Sequence, residues 1–343
     1  MKASILIIYT GGTIGMKQDP VDGALRPFDF SQILEEVPEL AKFAVKIDSY
    51  TFDPLIDSSD VEPSLWVSLA ELIKERYEQY DGFVILHGTD TMAYSASALS
   101  FMLKNLTKPV VFTGSQLPIG VPRTDGKENL IGAVEIASAM DASSHAMVPE
   151  VTIFFDSLLL RGNRATKYSA EAFDAFTSPD CPPLAKAGIR IRYDRSVIHY
   201  PEDWDAPLQV QTHLDTRVGI LKIHPGITPA VARYFLCAPE IRAVILETYG
   251  SGNALSREWF LEIVREADHM GKILLNVTQC KSGTVNMDLY ATGKSLKKQG
   301  VVSGYDSTTE AALGKLFSLM GLSDNNQWVK EMLDRDLRGE ISK

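Results

Sequence analysis

Short apolar runs alternate along this chain with longer segments whose apolar positions recur every three or four residues. Ser4 to Tyr9 is the first run and Val45 to Phe52 a weaker second; both read as strands. Leu65, Leu69, Leu72, Ile73 and Tyr77 then share one helical face, with Pro63 near the start, where its missing N–H is harmless. Strands follow at Gly82–Leu86, Pro109–Phe112 and Val151–Phe155, with helices between them at Met92–Leu103 and Asn129–Met140. From Ala187 to about Asp215 the periodicity dissolves among Arg, Pro and Asp, and the stretch reads as a linker with at most a short hairpin. A second alternating half has strands at Val218–Ile223, Ala243–Glu247 and Ile273–Val277. Its helices run from Thr228-Pro229 to Leu236, over Trp259–Met270, and near Glu310–Met320 and Asn325–Asp334. Strand and helix in strict alternation predict βαβ units, an α/β fold and a mostly parallel sheet.

Composition narrows the function. The chain has 343 residues, 45% hydrophobic and 23% charged, an ordinary globular balance whose length favours two domains. A net charge of −10 argues against nucleic acid as a partner, since phosphate recognition wants a basic face. No run approaches the roughly 20 apolar residues that span a bilayer. The first apolar run leads straight into a Gly-rich turn, without the length or cleavage site of a signal peptide. The expectation is a cytoplasmic protein with no membrane partner. Three cysteines, Cys181, Cys237 and Cys280, are too few and too scattered for a disulfide framework or a zinc site. His213 and His224 have no Cys or carboxylate at ligand spacing, so no metal site is expected.

The strand ends carry the candidate chemistry. Tyr9-Thr10-Gly11-Gly12-Thr13-Ile14-Gly15 follows the first strand, His87-Gly88-Thr89-Asp90-Thr91 the third, and Thr113-Gly114-Ser115-Gln116 the fourth. One such cluster is a turn. Three at the carboxyl edge of one parallel sheet make a cleft lined by hydroxyls and a carboxylate, where α/β sheets bind ligands. The phosphate-binding fingerprints G-x-x-x-x-G-K-[ST] and G-x-G-x-x-G are missing, as is the G-x-S-x-G elbow; Gly250-Ser251-Gly252 is a lone G-x-G and reads as a turn. What remains is a hydroxyl nucleophile, Thr10 or Thr13, that needs a base. His87 is one candidate base, although a strand's last residue more often packs as a satisfied buried histidine. Lys167, just past Arg161 and Arg164, is the other; taken alone it reads as a solvated lysine, but beside cations and partly desolvated it could accept a proton. Asp57-Ser58-Ser59-Asp60 reads either as an N-cap or as a binder of a zwitterion, with Asp90 suited to an α-ammonium group.

The two motifs Tyr9–Gly15 and His87–Met92 closely resemble the signatures of the L-asparaginases, and within that family the cytoplasmic type I bacterial branch. Asp57–Asp60, Gly82–Leu86, Tyr94–Leu103, Arg161–Arg164 and Thr278-Gln279-Cys280 extend the resemblance over essentially the whole chain. It implies hydrolysis of L-asparagine to L-aspartate and ammonia without a cofactor. Thr13 takes the place of the nucleophile, Thr89, Asp90 and Lys167 that of a proton relay, and Asp57, Ser58 and Ser59, with Thr89 and Asp90, that of the substrate-binding set. It also implies a larger N-terminal catalytic domain at 1–190, a linker at 191–215, and a smaller Rossmann-like domain at 216–343 that completes the site and the subunit interface. The assembly would be a homodimer or homotetramer.

Two departures qualify the resemblance. Many relatives carry a tyrosine on the first loop; here Lys17 to Pro27 has Gly23-Ala24-Leu25 at that place, which leaves the activator of Thr13 open. Relatives with a regulatory asparagine site use an arginine before the Tyr-Gly of the second domain, whereas this chain reads Glu247-Thr248-Tyr249-Gly250. A carboxylate there repels an α-carboxylate, so Glu247, Thr278, Gln279 and Cys280 are regulatory positions in place only, and a lost or weakened response is expected. The competing readings are a non-catalytic amino-acid sensor with the same cleft, and the amidase subunit that supplies ammonia for amide-tRNA synthesis. The latter is disfavoured because that subunit carries a domain before the first motif.

Overall fold

The computed structural model describes residues 2–18, 25–27 and 37–343. The chain divides into two units, Met1–Thr212 and His213–Lys343. The first is built on an eight-stranded sheet. Its strands are β1 (Ala3–Tyr9), β2 (Val45–Thr51), β3 (Gly82–Leu86), β4 (Val110–Thr113), β5 (Val151–Phe155), β6 (Leu158–Arg161), β7 (Ala185–Lys186) and β8 (Arg192–Tyr193). The order is β8-β7-β6-β5-β4-β3-β1-β2. Pairing from β2 through β5 is parallel, and from β5 outward antiparallel.

All five residues of β3 are buried, as a strand covered on both faces requires. Helices α1 (Pro63–Arg76), α2 (Met92–Met102) and α3 (Gly126–Ser138) flank the sheet. Ile5, Ile7 and Tyr9 share one core with Leu130, Ala133 and Val134 of α3; their neighbours Leu6 and Ile8 are buried as well. The order β2-β1-β3-β4-β5 reverses its direction of travel between β1 and β3. In a doubly wound sheet this switch point opens a crevice beyond the carboxyl ends of those two strands. The two Gly/Thr motifs follow β1 and β3.

The antiparallel margin escaped the periodicity because β7 and β8 are two residues each. The β5–β6 hairpin turns at Asp156 and Ser157, both at positive φ (45° and 66°); this is the primed turn that suits the strand twist, made without its usual Gly. Residues 191–212, most of the stretch expected as linker, count with the first unit: β8 joins the sheet and Gln209–Val210 pairs with Leu103–Lys104.

The second unit holds a four-stranded parallel sheet in sequence order, β9 (Val218–Lys222), β10 (Ala243–Thr248), β11 (Ile273–Thr278) and β12 (Val302–Ser303). Its helices are α4 (Pro229–Cys237), α5 (Glu258–His269), α6 (Ala291–Lys298), α7 (Thr309–Leu322) and α8 (Asn326–Leu333). Separate apolar clusters cover its two faces. Among the described residues its strand order never reverses, so the switch-point crevice belongs to the first unit.

Arg161 at the end of β6 is buried against Glu150. Its Nε donates to Oε2 at 2.6 Å and its Nη2 to Oε1 at 3.2 Å, while the His199 N–H donates to the same carboxylate at 2.7 Å. The pair anchors the chain beyond β8, and a buried cation stripped of its partner is costly. Glu150→Ala is therefore expected to lower the unfolding free energy by about 3 kcal/mol or more, measured by denaturant titration; a loss within about 0.5 kcal/mol, the range of a neutral surface change, would contradict this.

Candidate active site

The turn after β1 is pressed against two other backbones. Gly11 (φ 137°) is so close to Ile56 that a Cβ would lie 2.1 Å from the Ile56 carbonyl oxygen. Gly12 (φ 93°) packs on Gly88, where a Cβ would stand 2.5 Å from the Gly88 nitrogen. Only glycine fits such contacts at positive φ. Gly88 in turn leaves no room beside Ser58, whose Oγ would meet its Cβ at 2.5 Å. The three segments are stitched together: Ile56 N–H donates to the Thr10 carbonyl at 2.9 Å, and Thr91 Oγ1 to the Ser58 carbonyl at 2.6 Å. Thr13 opens a short 3-10 turn, Thr13–Gly15, and is partly exposed. Thr10 is buried, and its hydroxyl donates to the Leu86 carbonyl at 3.0 Å. Of the two candidate hydroxyls, Thr10 is thus committed to the sheet.

Lys167 is not a solvated lysine. It sits in a two-stranded ribbon formed by Thr166–Lys167 and Phe176–Thr177. Its Nζ donates to Thr89 Oγ1 at 2.8 Å and to Asp90 Oδ1 at 2.6 Å, with its side chain 20% exposed. The neighbouring arginines face elsewhere: Arg161 holds Glu150, and Arg164 donates to the Asp180 carbonyl at 2.9 Å. A hydroxyl, an ammonium group and a carboxylate in direct sequence form a path along which a proton can move.

Asp57 caps the turn Ser58–Asp60 by accepting from the Ser59 N–H and Oγ, each at 2.9 Å. These bonds hold its carboxyl below the usual carboxylate range. The N-cap reading therefore applies to that turn rather than to α1, whose N-cap is Glu62. Asp57 and Ser59 remain exposed and Ser58 is buried.

His87 is a satisfied buried histidine. Trp66 Nε1 donates to Ser95 Oγ at 2.9 Å, Ser95 Oγ lies 2.9 Å from His87 Nε2, and His87 Nδ1 lies 2.7 Å from the Gly88 carbonyl oxygen. That carbonyl only accepts, so Nδ1 carries the proton, and Nε2 accepts from Ser95. Burial pulls the imidazole down to about 4, so the ring is neutral at pH 7. Tyr9 also supports the first turn: its hydroxyl donates to the Gly12 carbonyl at 3.3 Å, and its ring fills the space beside Gly15. Neither Tyr9 nor the Trp66–Ser95 pair was legible as site support, because each is an apolar or small residue inside a regular element. Of the first loop, Gly23 and Ala24 lie outside the described residues, as do the side chains at 17–18 and 25–27.

The four positions weighed for a regulatory site, Glu247, Thr278, Gln279 and Cys280, all lie in the second unit. Thr248 of β10 stands beside Thr278 of β11. Glu247 accepts from Thr309 Oγ1 at 2.8 Å and has Lys222 Nζ at 3.6 Å. Gln279 Nε2 donates to the Ile223 and Glu247 carbonyls at 2.6 and 2.7 Å. Thr278 Oγ1 donates to the Gly250 carbonyl at 2.6 Å and accepts from the Cys280 N–H at 3.0 Å; Cys280 is an exposed free thiol. Among the described residues no group of three or more His, Cys, Asp or Glu is placed to hold a metal.

Known proteins share both the sequence and the architecture. The family model described as "Asparaginase, N-terminal" matches residues 4–199, and "Glutaminase/Asparaginase C-terminal domain" matches 217–333. L-asparaginase 1 of Escherichia coli (strain K12) is 44% identical over 346 residues, covering 99% of this chain and 98% of that one. The crystal structure of L-asparaginase I from Vibrio cholerae superposes with a TM-score of 0.90 at 40% identity, covering 100% of both chains. A glutamyl-tRNA(Gln) amidotransferase subunit of Thermococcus kodakarensis is 34% identical, covering 99% of this chain and 76% of that protein.

Two outcomes test this geometry. Gly12→Ala forces a Cβ onto the Gly88 backbone at a φ of 93°. It is expected to cost at least roughly 1–3 kcal/mol and to lower activity more than about tenfold by parting the two turns; unchanged melting and turnover would refute the contact. The second concerns pH. His87 titrates at about 4 when folded, against an ordinary 6.5. Between those values the unfolded chain binds a proton that the folded chain refuses. The stability this gives is complete above pH 6.5 and is lost as pH falls to 4, by roughly 3 kcal/mol. His87→Asn, which does not titrate, should therefore gain about that much relative to wild type between pH 7 and pH 4 in denaturant titrations. A difference that stays constant with pH would mean the ring is not held neutral.

Proposed function

This chain belongs to the asparaginase family, and on that premise we propose that it hydrolyses L-asparagine to L-aspartate and ammonia through a threonine acyl-enzyme. The observation that carries the reading is the contact of Lys167 Nζ with Thr89 Oγ1 at 2.8 Å and Asp90 Oδ1 at 2.6 Å, reached from a turn pressed against the Gly12–Thr13 turn. Thr13 Oγ1 attacks the side-chain amide carbon, the C–N bond breaks, and ammonia leaves with the proton taken from the hydroxyl. Water then adds to the aspartyl ester and returns the proton to Thr13. Thr89, Lys167 and Asp90 carry the proton in both halves. Backbone N–H groups of the two Gly-rich turns face the oxyanion.

Ser58 and Ser59 lie in the stretch that takes the α-carboxylate, while Asp57 and Asp90, whose carboxylates only accept, take the α-ammonium. Asp57 keeps its second oxygen for that purpose, since both hydrogen bonds from Ser59 use Oδ1. The 44% identity with L-asparaginase 1 of E. coli supports the type I assignment; a cytoplasmic homodimer or homotetramer is the expectation that goes with it. Among the described residues no helix is long and apolar enough to cross a membrane. Glu247 is already engaged by Thr309 and Lys222, which supports the loss of a regulatory response to asparagine.

The test is ammonia release by the purified chain across concentration series of L-asparagine and L-glutamine. A hyperbolic asparagine curve is expected, with Thr13→Ala slowed by more than about a thousandfold and its melting temperature unchanged. A sigmoidal curve would restore the regulatory site despite Glu247. Binding without ammonia release would favour the sensor reading. A strong preference for glutamine would favour an ammonia-supplying subunit, the reading to which the 34% identity with the amidotransferase of T. kodakarensis lends support.

A further inference from the structure

The chain Trp66–Ser95–His87–Gly88 ends one residue from the proposed relay, and the reaction above makes no use of it. It consists of an indole on α1, a hydroxyl on α2 and an imidazole at the end of β3. The three are 5%, 0% and 1% exposed. Every bond in it has a fixed direction. Trp66 Nε1 can only donate, the Gly88 carbonyl can only accept, and the hydroxyl and the neutral imidazole between them take the roles left over. His87 Nδ1 therefore grips one carbonyl, 2.7 Å away, from inside the core. In a trans peptide the C=O and N–H point in opposite directions. Holding the Gly88 carbonyl toward the imidazole turns the Thr89 N–H the opposite way, away from His87. Among the described residues no protein group accepts from the Thr89 N–H. Gly88 has no side chain to restrain its own ψ, so the imidazole supplies that restraint.

We propose that His87 is a positioning residue for amide hydrolysis, locking the Gly88–Thr89 peptide so that the Thr89 N–H faces the oxygen that becomes negative in the transition state. This rests on the reading of the cleft as an asparagine-hydrolysing site. A donor aimed at charge that develops only during reaction acts on kcat rather than on substrate binding, which separates this role from simple core packing.

The experiment compares wild type, His87→Leu, His87→Asn and Ser95→Ala for kcat and KM with L-asparagine, normalised to folded protein from thermal melts. Asn can place its amide nitrogen where Nδ1 was and still donate to the Gly88 carbonyl; Leu cannot. The expected result is that His87→Leu loses kcat about 10- to 100-fold with KM within about threefold. His87→Asn should recover most of that loss at a similar melting temperature. Ser95→Ala, which leaves Nε2 without its donor and the ring less firmly held, should fall between Asn and Leu. If His87→Leu does not fold, the ordering of wild type above His87→Asn and Ser95→Ala, at unchanged KM, carries the test. Equal kcat in all folded variants, or a loss in KM alone, would overturn the proposal. Failure of the underlying reading would look different: wild type itself would release no ammonia.

Discussion

The structure depends on a contact between two backbones. Gly12 lies so close to the Gly88 backbone that it cannot carry a Cβ, and Gly88 is barred from one by Ser58; this packing is what brings the carboxyl ends of β1 and β3 together. A crevice at the switch point of a parallel sheet is a property of topology alone. Chemistry requires the two rims to approach until a hydroxyl on one and a relay on the other can serve the same atom. Glycine at position 12 permits that approach. Ser58 and Ile56 close the third side, through the Thr91 and Thr10 bonds.

Around this contact the polar groups divide into two sets. Thr10, His87, Ser95 and Trp66 are buried and saturated, and they fix backbone positions. Thr13, Thr89, Asp90, Lys167, Asp57 and Ser59 are partly or fully exposed and keep bonding capacity to spare. Burial settles which set a residue joins, because a buried polar group must have its partners inside the protein. Thr10 and Thr13, alike in sequence, part for this reason.

Much of this was readable from the chain. The parallel strands and main helices followed from runs of Val, Ile and Leu alternating with helical stripes, and the strand ends gave the Gly/Thr clusters. The antiparallel margin β6–β8 did not, because strands of two residues have no period and the Asp156-Ser157 turn lacks the usual glycine. Lys167 was ambiguous for a similar reason: the sequence placed it beside Arg161 and Arg164, but the fold turns those cations inward to Glu150 and Asp180 and leaves the lysine facing Thr89. The Trp66–Ser95–His87 chain joins residues on three elements, so no local pattern could announce it. His87 alone could be weighed, and its place at the end of a buried strand pointed to the role it has.

The proposed mechanism turns on which hydroxyl takes the acyl group. Rapid acid quench of the enzyme turning over L-asparagine, followed by digestion and mass analysis, reads this directly. An aspartyl ester on the peptide containing Thr13 is the expected result. An ester on the peptide containing Thr89 would contradict the assignment and make Thr13 a supporting residue of a site that works the other way round.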